Sequence, residues 1–236
     1  MTSNTSKLDV FIKGELINLC IPDNDFALNS RWYSWFNDKG ITAYLEQGMF
    51  PNTPQKQLSY FENLTEDRLT LIIVQTDGVA IGVISFSQIN LNKKSCDIAL
   101  VVSGDGDKRL RPYMGLEAMA LLTQHGFDTL GMKRISAGQH ISLKGWQQRL
   151  ELIGYKLEGL NQAKSFKGNN LSDSMSICVH RKDYLGIVSK RDGRLWDSLD
   201  QMRMRIKKLP KISMADQFLE FFETSRKQYY KNIFDL

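Results

Sequence analysis

Lys108, Arg109 and Arg111 place three cations within four residues of each other. They lie in residues 103–115, a segment that contains Gly104 and Gly106 and closes on Tyr113, Met114 and Gly115. An apolar run at 96–102 precedes it. From Glu117 and Ala118 onward the apolar residues recur at helical spacing, to about 131. A strand, a basic loop rich in amides and a helix start, in that order, can hold a pyrophosphate. The free N–H groups and the positive end of the helix dipole point at the anion. A second region lies earlier. Residues 31–38 and 44–48 combine Trp32, Tyr33, Trp35, Phe36 and Tyr44 with Asn37, Asp38, Glu46 and Gln47. Aromatic faces with amide and carboxylate tips suit a sugar or a nucleotide. At least two of Trp32, Trp35 and Phe36 also fit a plain core face.

These segments need a frame, and the pattern supplies one. Residues 8–21 alternate enough for an opening strand with a turn at Lys13-Gly14. Residues 27–36 are helical in spacing, stopped by the run Asn37-Asp38-Lys39-Gly40. Thr53 is a suitable N-cap for a helix over 54–64, with Pro54 at its first position. Strands follow at 69–75 and 79–89, joined through Thr76-Asp77-Gly78, since Asp-Gly supplies the positive φ of a hairpin turn. A strand at 133–139 leads to a helix capped by Ser142 and reaching about 152. The last two strands fall at 155–161 and 174–181, with Gly168, Asn169 and Asn170 between them. Leu195, Leu199, Met202, Ile206 and Leu209 then recur at helical spacing, and Pro210 ends the run. Residues 215–234 form a second helical run rich in Phe and Tyr. The pattern predicts an α/β (α+β) fold: a mixed, mostly antiparallel sheet with helices on both faces. It divides into a domain over 1–184 and a basic helical extension over 185–236.

The chain has 236 residues, of which 42% are hydrophobic, enough for a sizeable core. The net charge of +5 is unevenly placed. From Arg181 onward there are 13 Lys/Arg and 8 Asp/Glu, and the first 180 residues hold 18 of each. The excess is either a solvated helical face or an attraction for an anionic partner. The two apolar stripes of the extension must be buried, against the domain or in a homodimer. No apolar run approaches the roughly 18 residues of a membrane span. Residues 1–7 lack the apolar core of a signal peptide. Neither a membrane nor a nucleic acid is expected as partner. Cys20, Cys96 and Cys178 are far apart, which points to buried thiols in a reducing cytoplasm. His125, His140 and His180 do not cluster, so no metal site is expected.

Four stretches carry a resemblance to the GNAT acetyltransferase superfamily. Ile81-Gly82-Val83-Ile84 resembles its Gly-containing strand. Gly115-Leu116-Glu117-Ala118 resembles the end of its pyrophosphate loop. Gly154-Tyr155 and Glu158-Gly159 resemble its strand entry. Asp173 and Arg181-Lys182-Asp183-Tyr184 frame what looks like its closing strand. The resemblance spans about 8–184 and is nearest in pattern to the branch with ribosomal-protein N-terminal and amino-sugar acetyltransferases. The family's loop pattern, Arg/Gln-x-x-Gly-x-Gly/Ala, keeps only its last small residue here, at Gly115. Lys108, Arg109 and Arg111 compensate by charge-assisted bonds. Leu143 and Leu150 stand where the family has an Asn and a general-acid Tyr.

The resemblance implies an acetyl-CoA-dependent N-acetyltransferase in the cytoplasm. It sets Leu100, Val101 and Val102 beside the thioester, and Lys108, Arg109, Arg111, Tyr113, Met114 and Gly115 around the pyrophosphate. His140 is the favoured general base, because it ends a strand on the acceptor side and its ordinary pKa suits the task. Asp97, Glu151 or a water chain are alternatives. Trp35, Asn37, Asp38 and Tyr44 are implied on the acceptor side. The acceptor is a small amine. The early Trp-Phe-Asn-Asp and Tyr-Leu-Glu-Gln-Gly pattern resembles enzymes of surface-polysaccharide amino sugars, which implies a nucleotide-linked amino sugar. Two other functions fit the same fold: a protein N-terminal acetyltransferase, and a non-catalytic binding or scaffold protein.

Overall fold

A computed structural model describes residues 8–167 and 169–236. The expectations for residues 1–7 and for Gly168 lie outside the described residues. Among the described residues, eight strands form one sheet: β1 Val10–Lys13, β2 Ile17–Cys20, β3 Leu69–Gln75, β4 Ala80–Asn90, β5 Ser95–Val102, β6 Arg134–His140, β7 Lys156–Lys167 and β8 Asn170–His180. Their order is β1-β2-β3-β4-β5-β6-β8-β7. Every neighbouring pair is antiparallel except β5 and β6. A parallel pair needs a crossover, and helix α4, Arg111–Asp128, provides it.

Among the described residues, the first five α-helices sort by face. Helices α1 Asn24–Asn29, α2 Trp32–Trp35 and α3 Pro54–Glu62 cover one side of the β2–β5 half. Phe26, Trp32 and Trp35 pack there on Cys20, Ile72 and Val83. Helix α4 and α5 Lys144–Leu150 lie on the other side, over Phe86, Ile98, Ile135 and Ile177. Thr53 caps α3 as expected, its side chain accepting from the Lys56 N–H. Such a cap contributes about 1 kcal/mol. Gly78 takes φ +95° in the β3–β4 turn.

Several boundaries differ from the sequence reading. The helix read as starting at Glu117 starts at Arg111, so Arg111–Gly115 are helical and the loop ends at Leu110. Pro112 is tolerated because a first-turn residue has no intrahelical use for its N–H. Gly115 reads as a loop residue by type. Its place is where α4 crosses the sheet: a Cβ there would sit 3.4 Å from Leu100 Cδ2 and from Trp146 Cη2. The helix expected at 27–36 is broken at Ser30, whose Oγ accepts from the Trp32 N–H at 3.1 Å. Ser142 is not a cap. The His140 ring takes that role for a 3₁₀ turn, Ile141–Leu143, that precedes α5. The β7–β8 hairpin is longer than expected at both strand ends facing its tip.

The extension begins inside the core. Helix α6, Arg181–Val188, spans the expected boundary at 184, and Tyr184 stacks on Phe127 with ring centroids 4.8 Å apart. Leu195 and Trp196 are buried in an extended segment. They join the main core with Met202 of helix α7, Leu199–Lys207. Glu15, in the β1–β2 turn, accepts from Trp196 Nε1 and from the Leu199 N–H, both at 2.8 Å. Helices α8 Met214–Phe221 and α9 Lys227–Phe234 continue through a π turn, Phe222–Arg226. Their faces leave Phe221, Tyr229 and Phe234 exposed.

Glu117 ties α4 to the same β1–β2 turn. It is fully buried and accepts from the N–H groups of Glu15 and Leu16 at 2.5 and 2.9 Å. Burial pushes its carboxyl up to about 7, against those hydrogen bonds. A raised folded-state pKa means that the folded chain holds this proton where the unfolded chain has released it. The stability this adds is complete below the ordinary carboxyl range and is lost as pH rises to about 7. Urea unfolding should therefore show native stability falling between about pH 5 and about pH 7.5. In Glu117→Gln that fall should shrink. An unchanged profile would mean that this group does not set it.

Candidate active site

The site begins where two strands separate. β5 and β6 pair only over Ser95↔Arg134, Cys96↔Ile135 and Asp97↔Ser136. Beyond Asp97, β5 keeps its bonds to β4 through Val102, while β6 stays paired with β8 through His140. A cleft opens between them. The Ser103 N–H donates to Ile81 O at 2.6 Å. Antiparallel alternation from that bond directs the peptide groups of Val101 and Ala99 to β4. Those of Leu100 and Val102 face the cleft, free to bind an extended amide chain.

The loop at the wide end of the cleft leaves several backbone donors free. Within the described residues, the backbone N–H groups of Gly104, Gly106, Asp107 and Lys108 donate to no protein acceptor. Gly106 holds φ +78°, and a Cβ there would collide with the Gln75 side chain at 2.1 Å. Only glycine satisfies both conditions. Arg31 pairs with Asp105 at 2.8 Å and ties the loop to the α1–α2 junction. Arg111 folds back onto Gly104 O at 2.5 Å, and its buried Nε has no partner. Gln139 Nε2, on the α4–α5 face of β6 with Ile135 and Ala137, is a second buried donor without a partner. Arg109 extends into solvent, 90% exposed, with only Asp107 near it at 3.7 Å.

The two mouths of the cleft differ. On the α4–α5 side, Leu100, Val102 and Trp146 meet around Gly115. That wall is apolar. On the other side, α1–α3 cover the sheet only as far as β5. Asp97, Ser136, Gly138, His140, Ser174, Ser176 and Cys178 alternate onto this uncovered face. Burial raises the Asp97 carboxyl above its ordinary range, with Arg134 partly opposing. His140 Nδ1 accepts from the Ser142 N–H at 3.1 Å. Its ring lies against Tyr44, centroids 4.8 Å apart at 33°. Both line a cavity of about 300 Å³ with Glu46, Ser165, Phe166 and Asn170. Lys167, on β7, closes its rim. Its Nζ donates to the carbonyls of Thr42, Leu45 and Gln47 at the end of the 3₁₀ turn Ile41–Tyr44.

Residues 25–156 match the family described as an acetyltransferase (GNAT) domain, more than half of the chain. The chain belongs to the GNAT acetyltransferases. It is an acetyl-CoA-dependent N-acetyltransferase, and no curated protein matches the sequence. Among solved structures it resembles a GCN5-related N-acetyltransferase from Brucella melitensis, at 16% identity and TM-score 0.65 over 86% of this chain and 96% of that one. It also resembles spermidine N-acetyltransferase from Vibrio cholerae in complex with CoA and spermine, at 13% identity and TM-score 0.63, covering 73% and 99%. A microcin C7 self-immunity acetyltransferase in complex with acetyl-CoA and AMP follows at 19% identity and TM-score 0.59, covering 71% and 93%. At these identities the likeness shows the fold.

The residues present fit the cofactor. An open strand edge suits its amide arm, and free N–H groups beside Lys108 and Arg109 suit its phosphates. Arg111 Nε and Gln139 Nε2 are donors still in want of an acceptor. The expected site residues scatter more widely. Leu100 and Val102 border the cleft, whereas Val101 packs toward the α1–α3 cluster. Met114 and Gly115 are buried between α4 and the sheet, and Tyr113 is half-buried with Arg203 over its ring at 5.5 Å. Trp35 is core. Asn37 pairs with the backbone of Asn52, and Asp38 caps the 3₁₀ turn through the Gly40 N–H at 2.7 Å. Glu151 accepts from Gln147 on α5. Tyr44 and His140 alone are brought together from opposite ends of the expected set. Leu150 is buried, so α5 brings no proton donor to the cleft at that position. Gln139 and Ser136 were legible only as strand residues, and Lys167 reaches its carbonyls across more than a hundred positions.

Arg109 is solvated, so replacing it should not disturb the fold. Arg109→Ala should weaken acetyl-CoA binding by about tenfold or more, since a charge-assisted hydrogen bond contributes roughly 1.5–3 kcal/mol. Calorimetric titration with unchanged thermal stability is the check. Equal affinity would leave the loop amides and Lys108 as the phosphate site.

Proposed function

We propose that this acetyltransferase acetylates the primary amine of a small polar molecule held on the uncovered sheet face, with Asp97 as the general base. The observation that carries the assignment is the direction of the cleft. Its anion-binding loop lies at the wide end, beyond Val102, and its apex lies at Asp97 and Ser136. Acetyl-CoA supplies an activated acyl carbonyl at the end of a long arm that starts at its phosphates. Phosphates at the loop direct that end to the apex. His140 is four strand residues beyond Ser136, about 13 Å away at roughly 3.3 Å per residue. It cannot act on the same amine as Asp97.

The two side chains therefore divide the work. The Asp97 carboxylate accepts no hydrogen bond among the described residues, and burial has made it more basic, so it can take the amine's proton. Peptide N–H groups on the open edge of β5 can polarise the carbonyl. His140 has its Nδ1 lone pair engaged by Ser142, which leaves Nε2 as a donor. Beside Tyr44 it holds the acceptor and does not deprotonate it. A cavity with one aromatic pair and several hydroxyl and amide groups supports a sugar-like acceptor, and we favour a nucleotide-linked amino sugar. Free thiols at all three cysteines support a reducing cytoplasm. No described helix is long and apolar enough to cross a membrane.

Steady-state kinetics with a panel of amino sugars and their nucleotides should separate the roles. Asp97→Asn should lower kcat by on the order of a hundredfold and remove the acidic limb of the pH profile, with acetyl-CoA affinity intact. His140→Ala should chiefly raise the acceptor KM. The opposite split would return the base to His140.

The exposed aromatic faces of α8 and α9 support a homodimer through the extension. Phe221 and Phe234 are 53% and 80% exposed, an unusual state for large apolar groups. Sizing by light scattering should give two chains per particle. Phe221→Glu with Phe234→Glu should give one, with the secondary structure unchanged. A monomeric parent chain would rule the dimer out.

A further inference from the structure

Three potential metal ligands converge on the uncovered face, one strand beyond Ser136. Cys178 and His180 are two residues apart on β8 and so share a face. Cys178 Sγ lies 3.3 Å from His180 Nε2. His180 Nε2 lies 3.9 Å from Glu158 Oε1 on β7. All three ligand atoms lie within 4.8 Å of one another. Glu158 owes its position to a β-bulge, where Glu158 and Gly159 together oppose Ser176. Bulges re-aim side chains in this way.

The arrangement is not a nucleophilic triad. Both contacts fall on the same imidazole nitrogen, so nothing orients the ring from its far side. The geometry points instead to a zinc-class divalent cation site with Cys178 Sγ, His180 Nε2 and Glu158 Oε1 as ligands and a fourth position open to solvent. Sulfur, imidazole and carboxylate together are the donor set of Zn²⁺, and three protein ligands with one open position is a stable form of it. Arg134 grips Glu158 through both oxygens, Nη1 to Oε1 at 2.8 Å. In this site it acts as the outer partner that orients the ligating carboxylate, whose oxygens each keep a second lone pair.

Cys178 is buried, so its thiol is inert toward solvent oxidants. Cys178 and Asp97 are both cross-strand partners of Ser136. That places the ion about 10 Å from Asp97, two strand spacings away on the face assigned to the acceptor.

The intact chain, stripped with a chelator, is titrated with Zn²⁺ in a calorimeter and with Co²⁺ in a spectrophotometer. One ion per chain is expected, with a thiolate-to-cobalt charge-transfer band in the near ultraviolet. Cys178→Ser should abolish the band, and His180→Gln should weaken Zn²⁺ binding by more than about 100-fold, beyond the usual effect of an outer-shell partner. His180 is half-exposed, so its variant decides the matter if Cys178→Ser fails to fold. Absence of the band, a band that survives in Cys178→Ser, or well under one ion per chain would overturn the site. None of these readouts depends on the acceptor or on the role of Asp97.

Discussion

The peptide groups that β5 leaves unpaired beyond Asp97 are the constraint on which the active site depends. A backbone N–H or carbonyl withdrawn from its ladder costs free energy unless something else bonds it. The fold keeps each strand bonded on its far side, β5 to β4 and β6 to β8, and leaves the near edges open to the cleft. A parallel pair needs a crossover, and here it leaves from the end of β5 through a loop into α4. The same connection puts free amides and a helix N-terminus at the wide end of the cleft.

The two faces of the sheet then acquire different chemistry. Behind the cleft, α4 and α5 close an apolar wall in which Gly115 permits the close approach of helix and strand. In front of it, α1–α3 stop at β5 and leave a strip of polar residues on β6 and β8. The proposed cofactor and acceptor sites thus lie on different surfaces. Two ties keep the strip in register with its rim. Lys167 fastens the β7 end to the loop that carries Tyr44, and Arg134 fastens Glu158 across β6 and β7. The extension contributes by covering the main core with Leu195, Trp196 and Met202, held through Glu15.

Much of this was legible from the residues alone. Alternation and turn residues placed β3 to within its ends and located β4, β5 and β6. The Thr53-Pro54 pair marked a helix start, and a strand, basic loop and helix in sequence marked the candidate anion site. These signals are local: each depends on a few neighbours and on the fixed periods of strand and helix. The start of α4 was misplaced because Pro112 and Gly115 are breakers by type. Only their position, a first turn and a helix–strand crossing, makes them acceptable there.

What the sequence determined by itself is the family of the fold and the order of its elements, including the strand, basic loop and helix proposed to hold the phosphates. All of these follow from short-range patterning. The tertiary structure alone decided which side chains share a site. Asp97 and His140 are both strand residues of suitable chemistry. Strand register, a relation between residues tens of positions apart, puts one at the apex of the cleft and the other at its mouth. Register and a single bulge likewise gathered Cys178, His180 and Glu158, whose spacing in the chain shows no metal motif. Trp35, Asn37 and Asp38 had the right types for a ligand, and packing and capping claimed them first.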